Sequence, residues 1–106
     1  MLESEFQSKL IKELECLFDG CIILKNDPSY IQGFPDLLIL YNNQWATLEC
    51  KNSRRAKTRP NQHHYVELLD DMSFSRFVYP ENKEEVLYEL QKSFSTRGTT
   101  CVPKCK

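Results

Sequence analysis

At 106 residues, with 41% apolar and 27% charged side chains and a net charge of −1, the chain has the length and balance of one globular domain with a core of modest size. No apolar run approaches the roughly 20 residues needed to span a bilayer, and the N-terminus lacks the basic-then-apolar pattern of a secretory signal, so an intracellular protein without membrane association is expected. Five cysteines, an odd number, are most simply read as reduced thiols.

In chain order, Phe6, Leu10, Ile11, Leu14, Leu17 and Phe18 recur at helical spacing and predict an amphipathic helix from about Glu3 to Phe18. Glu3 and Gln7 are one turn apart and project within its apolar stripe, whereas Glu5 points to the opposite side. A carboxylate and an amide on the core side need a partner, because burying them unpaired is costly. Asp19-Gly20 ends the helix, Cys21 to Lys25 is a strand, and Asn26 to Gln32 is a loop leading into Gly33. Leu37 to Tyr41 is an apolar run of strand length, Asn42-Asn43 is turn chemistry, and Trp45 begins a second β-prone run, so the pattern predicts a hairpin. If Tyr41 pairs with Gln44, the register sets Asp36 opposite Glu49. Period-two alternation then puts Lys51 on the face of Glu49. Carboxylates that close repel, and they either share a proton or hold a cation.

Lys51 to Arg59 holds five of the fourteen Lys and Arg residues and no acid, leaving nine basic against fifteen acidic residues elsewhere. Arg54, Arg55, Lys57 and Arg59 therefore form a basic segment attached to the charged strand end, where a phosphate backbone would be drawn. Pro60 is a suitable first helical residue, and Tyr65, Leu68, Leu69 and Met72 predict the stripe of the helix it opens, with Gln62 on its edge. His63 and His64 are adjacent and so point about 100° apart, which prevents them from converging on one ion. Phe74 to Tyr79 is a further β-prone run. Pro80-Glu81-Asn82 opens a last helix with Val86, Leu87, Leu90 and Phe94 on one face. Residues 1–94 form the expected domain and 95–106 a tail, in which Cys101 and Cys105 could close a disulfide or donate to zinc, a weak signal without a second pair.

Gly33-Phe34-Pro35-Asp36, a hairpin, and then Glu49-Cys50-Lys51 resembles the signature of the PD-(D/E)XK nuclease superfamily. The predicted element order also contains the αβββαβ core associated with that superfamily. The resemblance implies an α/β fold: a single small restriction-endonuclease-like domain with an added C-terminal helix. By motif position it assigns the metal to Asp36, Glu49 and the backbone carbonyl of Cys50, and the catalytic ammonium to Lys51. Glu3-x-x-x-Gln7 is similar to the first-helix form of the VRR-NUC and Holliday-junction-resolvase-like branches, which makes Glu3 a further ligand. Gln62 matches a glutamine that several branches aim at the attacked phosphate or water, although its spacing to Tyr65 departs by one residue from the helicase-associated branch. The resemblance thus implies Mg²⁺-dependent DNA phosphodiester hydrolysis, with Mn²⁺ able to substitute. The enzyme would be an endonuclease of branched or structured DNA, of genome-maintenance or phage type, acting as a homodimer. The alternatives are a catalytically silent nucleic-acid-binding or inhibitory protein that keeps the scaffold, a metal-binding module whose basic loop docks an acidic protein, and an ordinary hairpin with solvated end charges.

Overall fold

The computed structural model describes residues 2–95, and the tail from 96 onward, with Cys101 and Cys105, lies outside them. Seven elements follow one another: α1 (Glu3–Leu17), β1 (Ile22–Lys25), β2 (Leu37–Tyr41), β3 (Gln44–Cys50), α2 (Pro60–Met72), β4 (Ser75–Val78) and α3 (Lys83–Ser95). The strands form one mixed sheet in the order β1-β2-β3-β4. The first three are antiparallel neighbours, and β4 joins β3 in parallel. The chain is thus a small α/β domain, and the predicted order of elements is the observed one.

The β2–β3 register starts at a two-residue turn. Asn42 takes a positive φ of 56°, a left-handed conformation that Asn tolerates, and Tyr41 faces Gln44. From there the pairs run to Leu37 opposite Leu48, so Asp36 and Glu49 follow one step beyond the ladder. Alternation sends Leu37, Ile39 and Tyr41 with Ala46, Leu48 and Cys50 to one side of the sheet. There they bury against Phe6, Leu10, Leu14 and Phe18 of the first helical segment and Val86, Leu87, Leu90 and Phe94 of α3. Lys83 of α3 also donates to Glu13 of α1 at 2.6 Å.

The other side of the sheet is covered by α2, which rests mainly on β3 and β4. Its inward residues are Val66 and Leu69, while Leu68 and Met72 are 39% and 62% exposed. The inward face of α2 therefore differs from the predicted stripe: Val66 joins Leu69 inside, and Leu68 and Met72 lie toward solvent. The thiols also depart from expectation. Cys21 and Cys50 are free, but Cys16 is disulfide-bonded. Among the described residues, no helix is long and apolar enough to cross a membrane.

Candidate active site

The open end of the β2–β3 hairpin collects Asp36, Glu49 and Lys51, and the local chain explains how each arrives there. Gly33, at φ 87°, lies so close to α2 that a Cβ would meet Asn61 atoms at 2.8–2.9 Å; only glycine lets the loop approach the helix this closely. The Asn61 amide then donates to the Gln32 carbonyl at 3.2 Å, and Phe34 packs on Tyr65 with ring centroids 5.5 Å apart. Asn26 clamps the far side: its backbone N–H donates to the Asp36 carbonyl at 2.8 Å and its side chain to the Pro35 carbonyl at 2.7 Å. Asp36 is thereby delivered to β3, where its Oδ2 accepts the Cys50 N–H at 2.9 Å.

Glu49 and Lys51 are held from the opposite direction by β4 and α2. The Lys51 N–H donates to the Val78 carbonyl at 2.9 Å, continuing the parallel ladder past its last pair. Gln62 stands at the third position of α2, after Pro60. Its Oε1 accepts the Arg59 N–H at 3.0 Å, a cap that satisfies one backbone donor at the helix start and fixes the amide's orientation. The same oxygen accepts from Lys51 Nζ at 3.0 Å, and Gln62 Nε2 donates to Glu49 Oε2 at 2.9 Å. Lys51 Nζ lies 3.7 Å from that carboxylate oxygen. Glu49, Gln62 and Lys51 thus form one connected unit.

Both Glu49 and Lys51 are buried, at 3% and 9% exposure. Burial, with Asp36 as a second cause, pushes the Glu49 carboxyl up to about 7, against the pull of Lys51. Its Oε1 has no hydrogen-bond partner among the described residues. A buried carboxylate oxygen left unpaired is costly, so this atom marks a place where a proton or a cation would be accommodated. Burial also raises Asp36. Glu3 is exposed, yet its carboxyl is raised by partial burial and by the charge of Asp36, with Lys51 opposing. Glu5 instead caps α1 by accepting the Leu2 N–H at 3.1 Å, which separates the two acids as their helical positions predict. Gln7 bonds the Cys50 side chain, and burial pushes that thiol well above the ordinary range. Cys50 is therefore a protonated core residue whose backbone carbonyl, rather than its sulfur, is the group suited to a hard cation.

Among the described residues, no three His, Cys, Asp or Glu side chains are grouped so as to hold a metal ion. A buried carboxylate, Glu49, and a half-buried one, Asp36, beside a main-chain carbonyl nonetheless suit Mg²⁺, which takes one or two carboxylates and keeps several waters.

The basic segment is an ordered loop. Its Ala56 N–H donates to the Ser53 carbonyl at 3.1 Å, the Arg55 N–H to Ser53 Oγ at 3.2 Å, and the Arg54 N–H to Glu81 at 3.2 Å. Arg54, Arg55, Lys57 and Arg59 are all exposed. His63 and His64 diverge: His63 contacts Thr58 and Phe77, and His64 contacts Tyr65. Phe77 and Tyr79, beside Lys51, have no signal in the sequence because β4 reaches the site only through the non-local parallel pairing, with Glu49 opposite Phe77.

Compared with known proteins, the chain matches no family model, no curated protein and no solved structure.

Proposed function

We propose that this chain is a divalent-cation-dependent nuclease of the PD-(D/E)XK type, with a restriction-endonuclease-like domain that hydrolyses DNA phosphodiesters. The observation that carries the proposal is the buried Glu49, one oxygen unpartnered among the described residues and the other held by Gln62, lying with Lys51 beside Asp36. Asp36, Glu49 and the Cys50 carbonyl would hold Mg²⁺ or Mn²⁺, with Glu3 at the border, and the ion would supply Lewis-acid polarisation of the phosphoryl group.

The chain's own residues account for the rest. Water attacks phosphorus, the bond to the 3′ oxygen breaks, one proton leaves the water, and one is taken up by the departing oxygen, giving 5′-phosphate and 3′-hydroxyl ends. Lys51 orients the water and offsets negative charge developing on the phosphoryl oxygens, which burial strengthens. Gln62 keeps Lys51 and Glu49 in register from a capped helix end and contributes an amide next to the attacked group. Arg54, Arg55, Lys57 and Arg59 draw in the backbone. The homodimer and the preference for branched DNA belong to the same proposal, since a second copy would bring a second site to the opposite strand. An intracellular, genome-maintenance or phage setting fits that role.

The absence of a three-ligand side-chain group among the described residues favours a second reading, a silent nucleic-acid-binding or inhibitory protein on the same scaffold. Branched, flapped, single-stranded and linear DNA incubated with Mg²⁺, Mn²⁺ or chelator, beside Lys51→Ala, separates the two. The proposal predicts cation-dependent products that Lys51→Ala abolishes. Binding without product on every substrate would establish the silent protein instead.

A further inference from the structure

Two cavities flank the Lys51–Gln62 pair. One, of about 180 Å³, opens on the Gln62 side between Gly33, Arg59 and Asn61. The other, of about 260 Å³, opens on the Lys51 side and is lined by Ser53, Arg54, Thr58 and His63, with Phe77 and Tyr79. In a chain with more acids than bases, no carboxylate is among the described residues lining this second cavity. We propose that it is an anion subsite that takes a nucleotide phosphate next to the one attacked. The identity of that nucleotide rests on the nuclease reading; the anion chemistry does not.

Donors converge on the cavity. Lys51 and Arg54 bring positive charge. Ser53 Oγ accepts the Arg55 N–H, which leaves its own proton to donate. Thr58 Oγ1 and His63 Nε2 are 2.6 Å apart, and in a neutral pair either tautomer leaves one donor over: if the imidazole N–H faces Thr58 the hydroxyl proton is unused, and if the hydroxyl donates the proton lies on Nδ1. The aromatic rings decide between a phosphate and a base. His63 packs on Phe77 at 4.9 Å and the Arg54 guanidinium lies over Tyr79 at 5.8 Å. A polar group thus already lies against each ring, which leaves less ring surface for a base to stack on. The same contacts hold the imidazole and guanidinium at the rim in advance, which lowers the ordering cost of binding.

The test is a titration of the full chain, in chelator, followed by NMR at the Thr58 amide and the His63 and His64 rings. The probes are inorganic phosphate, a thymidine dinucleotide with a 5′-phosphate, and the same dinucleotide without it. Saturable shifts at Thr58 and His63, with His64 unmoved, are expected for inorganic phosphate and the phosphorylated dinucleotide. If the bare dinucleotide also binds, the subsite accepts an internal diester; if it does not, it takes a terminal phosphate. Arg54→Gln and Thr58→Val should each weaken binding about tenfold. Absence of saturable shifts, shifts shared equally by His64, or indifference to Arg54→Gln would overturn the subsite. Anion binding in a protein that cuts no DNA would uphold it while removing the nuclease reading, and cleavage without anion binding would do the reverse.

Discussion

The two ends of the β2–β3 hairpin each bury a polar side chain with unpartnered atoms, and they do so to different effect. At the turn end Gln44, 5% exposed, has neither amide atom paired among the described residues. At the open end Glu49 has one oxygen unpaired among the described residues, but its other oxygen is bonded and an ammonium lies 3.7 Å away. Gln44 is neutral, so its burial costs the same at every pH. Glu49 titrates, and its burial cost changes with protonation or with a cation. Unpaired polarity alone therefore does not mark a site; what distinguishes Glu49 is a charge that a proton or a cation can neutralise.

The largest effect that would break this contrast is catalytic. Asp36→Ala should lower DNA cleavage by about 10²- to 10³-fold or more, with DNA binding largely retained and the melting transition still cooperative. Gln44→Met should leave cleavage unchanged. Equal losses from the two substitutions would mean that both ends are merely structural.

Next comes stability against pH. The Glu49 carboxyl is raised from 4.5 to about 7, so the folded state binds a proton more tightly than the unfolded chain. Its contribution is present in full below pH 4.5 and is lost as pH climbs through about 7; Asp36 and Glu3, also raised, act in the same sense. Relative to wild type, Glu49→Gln should therefore gain on the order of 3 kcal/mol between acid and mildly alkaline conditions, read by denaturant unfolding in chelator. Any constant packing cost of the new amide cancels in that difference. A parallel pair of stability curves would show that Glu49 titrates normally.

Gln44→Met replaces an unpaired buried amide by an apolar side chain of similar volume. A gain of about 1–2 kcal/mol, independent of pH, is expected from unfolding curves. A loss would reveal a partner for Gln44. The smallest effect concerns the loop beyond the open end. Neutralising Arg55 and Lys57 together should weaken DNA affinity several-fold at moderate salt and flatten its log–log salt slope by roughly one per lost phosphate contact. An unchanged slope would take these side chains off the contact surface.

Much of the open end was legible in the sequence because its determinants are local. Asn42-Asn43 sets the turn, the turn sets the register, and the register carries Asp36 to Glu49 and Lys51. The helical positions of Glu3 and Glu5 likewise separate them: Glu3 feels the charges of Asp36 and Lys51, while Glu5 accepts the Leu2 N–H. What could not be read depends on pairing at a distance. Gln62 was legible as a helix-edge residue, but its double contact with Glu49 and Lys51 needs α2 docked on β3. Phe77 and Tyr79 enter only through the parallel β3–β4 ladder, which no turn signals. The exposure of Leu68 and Met72 similarly reflects where α2 sits, which helical periodicity does not encode.

Cation binding at the open end of the hairpin is tested most directly by a Mn²⁺ titration of the full chain, followed by paramagnetic broadening of backbone amide resonances. Asp36, Glu49, Cys50 and Gln62 should broaden first, Mg²⁺ should compete, and Asp36→Asn or Glu49→Gln should remove the effect. Broadening centred elsewhere, or none among these four residues, would contradict a metal held by Asp36 and Glu49.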